Sequence, residues 1–249
     1  MPGYDTNFGA KRAREARDRL RLDQASPVAC VVTLAEQRAD LPVVVATLPP
    51  EVAGALWRDG TGAMAWVNGA QALERQRFTV AHELGHVCCR HAQTTIDTAA
   101  TISATASDPR EVQANAFAAE LLAPRAGVRD TIRGEPGLDD LVRLAARFGI
   151  STIAALYRCR TLGLVRADRA RRLQEEIEDG LHHDVWDHLR PARIHDLLAG
   201  LEEYPRLPPA LAGSALGALL RGETTAAAAA LAAGCRIDTL EAAAAALRG

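Results

Sequence analysis

The sequence predicts an α+β fold in which a small antiparallel sheet packs on helices and an all-helical region follows. Short β-branched runs, bounded by turns that contain glycine or proline, are confined to residues 41–67. On both sides of that stretch, apolar residues recur at the three- and four-residue spacing of amphipathic helices. The 249 residues, 48% of them hydrophobic, are enough to bury a large core.

The first elements each carry a local signal. Ala10–Leu22 is rich in helix formers, and Ser26-Pro27 supplies an N-cap and a first-turn proline for a second helix that ends near Ala39. Three runs are predicted as strands, the last two of them joined by a glycine-containing hairpin loop: Leu41–Ala46, Val52–Trp57 and Ala63–Val67.

Helices are predicted after the strands. Gln71–His91 has a helical pattern of apolar residues, and a further helix begins at Arg110 and stops before Pro124. Between them, Ala92–Pro109 is rich in Thr, Ser, Ala and Asp and has no steady period, so we expect a surface loop there.

The sequence divides into three predicted domains. Residues 1–130 hold the sheet, residues 131–202 form a helical region, and residues 203–249 form an alanine-rich helical module behind a proline-rich linker. Inside the second domain, residues 138–161 read as two short helices around a glycine, which is the outline of a helix-turn-helix.

Charge and hydropathy limit the classes of function. A net charge of −2 excludes a general field for binding polyanions. The sequence shows no run of about 18 apolar residues and no apolar signal segment, so we expect a cytoplasmic protein without a membrane partner.

His82-Glu83-Leu84-Gly85-His86 is an H-E-x-x-H motif within the predicted central helix. The two histidines are about 40° apart around the helix axis and one turn apart along it, so both imidazoles can bind one ion. Glu83 lies about 100° from His82, where it can accept a proton from a water molecule on that ion.

A catalytic zinc ion needs a third protein ligand from another segment and an open fourth position. We assign Glu111, at the start of the next predicted helix, as that ligand. Asn115 shares its face one turn later and is a candidate to hydrogen-bond one of the ligands. Glu120 is the rival acid, but it lies about 180° round the helix beside apolar residues, which favours Glu111.

Other histidines and a cysteine are alternatives. His91 falls about 180° from His82 and cannot complete the site unless the helix has already ended, so it is predicted to be a surface or capping residue. Cys89 lies on the same stripe as the two motif histidines and remains an alternative zinc ligand. The cluster His182–His188, with His195, has no face that presents three ligands and is predicted to be a solvated helix face.

The strip Arg77–His86, followed by Glu111-x-x-Ala114-Asn115-x-Phe117-Ala118-Ala119-Glu120-Leu121-Leu122-Ala123-Pro124, closely resembles the ImmA/IrrE family of metallo-endopeptidases. The resemblance implies a zincin-like peptidase domain, Zn²⁺ as the cofactor with Mn²⁺ as the alternative ion, and the same four site residues. His82, His86 and Glu111 resemble the metal ligands, and Glu83 resembles the general base. The family commonly has an acid where Gln113 stands.

Two functional hypotheses follow. The resemblance implies an intracellular zinc endopeptidase that makes a limited cut in a regulatory protein, a helix-turn-helix transcriptional repressor. The alternative is a DNA-binding or partner-binding regulator with a structural or vestigial metal site, in which Arg158 and Arg160 contact phosphate. Apolar residues around those arginines favour a packing helix or a homodimer surface instead. Tyr157 and His91 are candidates for stabilising an oxyanion, without geometric support.

Overall fold

A computed structural model describes residues 2–58, 62–92, 94–98, 100–102, 106–193, 206, 208–232, 237, 241, 244 and 245. It confirms the α+β class. The helices are α1 (Pro2–Arg19), α2 (Val31–Ala39), α3 (Leu73–Cys88), α4 (Pro109–Leu122), α5 (Arg125–Thr131), α6 (Leu138–Phe148), α7 (Thr152–Thr161), α8 (Ala167–Glu178), α9 (Leu181–Leu189), α10 (Pro209–Leu220) and α11 (Ala226–Ala232). The strands are β1 (Val43–Ala46), β2 (Val52–Arg58), β3 (Ala63–Asn68) and β4 (Thr95–Thr98).

The sheet has the strand order β1-β3-β2-β4 and is mixed rather than purely antiparallel. β2 runs antiparallel to both β3 and β4, whereas β1 runs parallel to β3. The turn at residues 47–51 reverses the chain after β1, and the following hairpin reverses it again, so β3 regains the direction of β1. The sequence identified the three strand segments but not this order.

β4 lies in the segment that was predicted to be a surface loop, and that prediction was wrong there. The strand forms one edge of the sheet and pairs with β2. Its burial pattern is the reverse of an ordinary half-buried strand, because Ile96 is 69% exposed while Asp97 is 1% exposed. A polar residue at the inward position removes the alternation by which strands are recognised.

α2 begins four residues later than Ser26-Pro27 predicted. The backbone N–H groups of Ala25 and Ser26 donate to Oδ1 of Asp23, at 2.9 and 2.8 Å, which holds this stretch in a turn. The helix then begins after Cys30, whose sulfur accepts from the backbone N–H of Thr33.

α3 lies at the centre of the fold, where it contacts α1, α2, α4, β2 and β3. Two fully buried arginines connect these layers through backbone carbonyls. Arg77 on α3 donates to the carbonyls of Val28, Ala29 and Gly149. Arg17 on α1 donates to the carbonyls of Asp23, Ser26 and Leu121. Arg77 thus connects α3 to the segment before α2 and to the turn between α6 and α7, and Arg17 connects α1 to the same segment and to α4.

One hydrophobic core extends from α1 to α8. α10 and α11 pack on a small cluster of their own around Ala229 and Ala230. The predicted linker and the end of the alanine-rich module fall largely outside the described residues, and the division into three domains stays a prediction. In the described part of the chain, every helix is too short or too polar to cross a lipid bilayer.

The buried ion pair between Glu120 and Arg158 joins α4 to α7. Both side chains are at most 5% exposed, and Arg158 also donates to the carbonyl of Ala123 at 2.8 Å. Arg158 is therefore committed to the core and not to a phosphate, while Arg160 stacks on Tyr157 at the surface.

We expect Arg158→Met to lower the free energy of unfolding by roughly 3–5 kcal/mol, because it leaves the Glu120 carboxylate buried without its main partner. The double variant Glu120→Gln/Arg158→Met should recover part of that loss. Arg172→Met is the matched control, since its pair with Asp168 is exposed and should contribute at most about 1 kcal/mol. Urea unfolding followed by circular dichroism measures all three, and equal losses for Arg158→Met and Arg172→Met would contradict the assignment.

Candidate metal centre

The H-E-x-x-H motif lies on the buried face of α3. His82 and His86 are fully buried, and their Nε2 atoms are 3.0 Å apart. This separation follows from the i, i+4 spacing, which places both rings on one side of the helix. Glu83, the residue between them in the motif, is also fully buried.

α4 brings a carboxylate to the same point. Oε2 of Glu111 lies 3.2 Å from Nε2 of His82 and 3.5 Å from Nε2 of His86. The two helices approach closely because Gly85 faces Ala114: a Cβ atom at Gly85 would lie 3.1 Å from the Cα and the carbonyl oxygen of Ala114. The structure therefore brings together the three side chains that the sequence assigned as ligands.

Asn115 orients the first histidine. Its side-chain amide donates to the carbonyl of Thr101 at 2.9 Å, so its Oδ1 faces Nδ1 of His82, also at 2.9 Å. Nδ1 of His82 must then carry the ring proton, and Nε2 presents a lone pair toward Glu111 and His86. Asn115 occupies the supporting position that its helix phase predicted.

His91 orients the second histidine, and the prediction that it is a surface residue was wrong. α3 ends at Cys88, Arg90 adopts a left-handed φ of 62°, and the N–H of His91 donates to the carbonyl of His86 at 3.0 Å. This reversal places Nδ1 of His91 2.9 Å from Nδ1 of His86. The predicted angle of about 180° between His82 and His91 assumed that the helix continues to residue 91, but α3 ends at Cys88.

Gln113 and Asp5 extend this line of hydrogen bonds. Gln113 donates from Nε2 to Oδ1 of Asp5 at 2.8 Å, so its oxygen faces Nε2 of His91 at 3.0 Å. His91 then carries its proton on Nε2 and accepts at Nδ1 from His86. Each hydrogen bond in this chain, from His86 through His91 and Gln113 to Asp5, therefore has one donor and one acceptor. Nε2 of His86 keeps its lone pair free.

Asp97 joins the group from β4, and no sequence pattern indicated it as a site residue. Its Oδ1 lies 3.9 Å from Nε2 of His82. β2 lies directly behind: Gly54 pairs with Asp97 in the sheet, and a Cβ atom at Gly54 would lie 3.0 Å from Oε1 of Glu83. Because Gly54 has no side chain, the Glu83 carboxylate fits against β2.

Five buried side chains form one cluster: His82, Glu83, His86, Asp97 and Glu111. The electrostatics of this cluster favour a bound cation. Burial, followed by the negative charge of Asp97 and then of Glu111, raises the pKa of Glu83 well above its usual value. Burial also opposes the charge on Glu111, but protons on His82 and His86 that face it would outweigh burial and lower its pKa, and a cation between these groups would take the place of those protons. Within this cluster, four buried oxygens have no hydrogen-bond partner among the described residues: Oε1 and Oε2 of Glu83, Oδ2 of Asp97 and Oε2 of Glu111.

These side chains fit a divalent metal ion. Two imidazole lone pairs 3.0 Å apart repel each other unless a positive charge lies between them. Nitrogen and carboxylate oxygen donors in this combination suit Zn²⁺ and also Mn²⁺. Among the described residues, one group of three or more such side chains could share an ion, and it consists of His82, His86, Asp97 and Glu111.

The remaining candidates lie elsewhere. Burial, together with the neighbouring Cys88, raises the pKa of Cys89 to about 12, which opposes its ionisation to a metal-binding thiolate. Glu120 is held by Arg158. His182 and His183 contact each other through their rings on α9 without a third ligand group among the described residues, and His195 lies outside those residues.

Residues 45–160 match the Peptidase_M78 family model, which is described as an IrrE N-terminal-like domain. No curated protein matches the chain in sequence. The matched stretch contains the H-E-x-x-H motif, β4 and the helix that carries Glu111, so it includes every side chain of the buried cluster. The resemblance to the ImmA/IrrE family is confirmed over residues 45–160, and this stretch of the chain is similar to the metallopeptidase-like domain that the family model describes.

Proposed function

We propose that this chain is a cytoplasmic zinc-dependent endopeptidase that makes a limited cut in a regulatory protein. The observation that carries the proposal is the convergence of three donor atoms, Nε2 of His82, Nε2 of His86 and Oε2 of Glu111, within 3.0–3.5 Å of one another. Ligand atoms of one tetrahedral zinc ion at its usual bond lengths are about 3.3 Å apart. These three residues would hold the ion.

Bound there, the ion would lower the pKa of a water molecule and polarise the carbonyl of the scissile bond. Glu83 would take up the proton of the attacking water and deliver it to the departing amine. Its buried position beside Asp97 supports this role, because an environment that raises the pKa of Glu83 makes its carboxylate a stronger base.

The burial of the cluster limits which conformations of a substrate can reach the site. His82, Glu83 and His86 are fully buried, and Glu111 is 8% exposed, so a folded surface cannot reach them. An extended segment between folded domains can enter such a site more readily. The substrate that we propose is a helix-turn-helix repressor cut at such a segment, and the resemblance to the ImmA/IrrE family supports this choice.

We expect His82→Ala, His86→Ala and Glu111→Ala each to abolish tight zinc binding, because each variant removes one of the three donor atoms that lie within 3.5 Å of one another. Glu83→Gln should keep the ion and lose peptidase activity. His188→Ala, on the exposed face of α9, is the control and should bind one equivalent of zinc. Elemental analysis after dialysis measures the occupancy. Full occupancy in Glu111→Ala would show that the ligand assignment is wrong.

His91→Ala should weaken zinc binding by about 10- to 100-fold, because Nδ1 of His86 loses the acceptor that fixes its ring. His91→Asn offers an amide oxygen as the acceptor and should recover part of the affinity. Competition with a chelator of known affinity measures both, with the His188→Ala protein as the control. Unchanged affinity in His91→Ala would contradict an orienting role.

The repressor encoded beside the gene for this chain should be cut once, and casein should not be cut. Co-expression followed by mass spectrometry of the intact products identifies the cleavage site, and the Glu83→Gln protein controls for other peptidases. Cuts across many unrelated proteins would refute the limited specificity. An intact repressor at saturating zinc or manganese would refute the proposed substrate while leaving the metal centre in place.

A further inference from the structure

Asp97 is the cluster residue whose burial the proposed catalytic roles leave unexplained. It is 1% exposed, and its Oδ2 has no hydrogen-bond partner among the described residues. Within the same residues it forms no ion pair with an arginine or with lysine, and it faces the carboxylate of Glu83. A buried carboxylate without a cationic partner destabilises a fold by several kcal/mol in general, so a purely structural role is disfavoured.

Asp97 lies close to the donor atoms that would hold the ion. Its Oδ1 is 3.9 Å from Nε2 of His82, and one oxygen of Asp97 lies within 4.8 Å of the donor atoms of His82, His86 and Glu111. The spacing that a shared tetrahedral ion requires is about 3.3 Å. A shift of roughly half an ångström would bring Asp97 to that spacing from Nε2 of His82, and a shift of at most about 1.5 Å would bring it to that spacing from the donor atoms of His86 and Glu111.

From this placement we infer that Asp97 is a fourth protein ligand, so that the resting centre is a closed site of two histidines, one glutamate and one aspartate. The inference rests on the proposed function, in which the other three residues hold the ion. Four protein ligands are typical of structural zinc sites, whereas catalytic sites keep one position open. Peptide hydrolysis then requires that Asp97 leave the ion, and the resting enzyme is latent.

β4 can deliver such a change, because it lies at one edge of the sheet. It has four residues, forms the sheet edge, and pairs with β2 across a register irregularity between Val52 and Gly54. Its outer side chain, Ile96, is 69% exposed and packs on little. A small displacement of this edge strand would withdraw Asp97 while leaving α3 and α4, which carry the other ligands, in place.

The test compares full-length wild type with Asp97→Ala, using Zn²⁺ alone for affinity and Mn²⁺ alone for water access. Ile96→Ala is the matched control, because it changes the same strand on its opposite face. We expect Asp97→Ala to bind zinc at least about tenfold more weakly. We also expect faster relaxation of water protons per bound Mn²⁺, because a water molecule takes the place of the carboxylate. Ile96→Ala should match wild type in both measurements.

Thermal unfolding of the metal-free proteins separates a ligand from a structural residue. Removal of a buried, unpartnered charge should leave the metal-free Asp97→Ala protein at least as stable as wild type. Lower stability without metal would overturn the inference, as would unchanged zinc affinity. Weaker affinity with unchanged water relaxation would also overturn it, because Asp97 would then act from outside the coordination sphere. If wild type itself bound no zinc, the proposed function would fail instead.

Discussion

The close approach of α3 and α4 at Gly85 and Ala114 is the constraint on which the rest of the structure depends. A Cβ atom at Gly85 would press on the backbone of α4, which would have to move away by a few tenths of an ångström. Glu111 would then shift relative to the two histidines, since its side chain reaches them from the facing helix. The H-E-x-x-H spacing positions donors along one helix, but the small residue inside the motif decides whether the second helix can complete the set.

The polar groups around the motif histidines have defined donor and acceptor roles as well as short distances. Asn115 and His91 each accept a hydrogen bond from Nδ1 of one motif histidine, and the Nε2 lone pairs of both histidines therefore face the same point. Behind His86, the carboxylate of Asp5 sets the orientation of the Gln113 amide, and Gln113 sets the orientation of the His91 ring. Because α1 supplies Asp5, the N-terminal helix takes part in the orientation of a side chain on α3.

Local geometry explains how much the sequence could predict. The relation of His82, Glu83 and His86 follows from helix spacing, and the phase of α4 favoured Glu111, which the structure places beside both histidines, over Glu120, which pairs with Arg158. The position of His91 depended on where α3 ends, and an arginine with a left-handed backbone is not a signal that a sequence pattern reveals. Asp97 was missed because β4 has its polar residue inside, and the direction of β1 was missed because it depends on the sheet order.

The buried carboxylates also affect how long the protein persists in a cell. Without a cation, the oxygens of Glu83, Asp97 and Glu111 that lack hydrogen bonds destabilise the folded state relative to the unfolded chain, in which water solvates them. An ion that binds the folded state alone shifts that equilibrium by mass action, in proportion to the logarithm of its free concentration. Degradation in cells follows the unfolded fraction, so the abundance of this protein would report the supply of the ion.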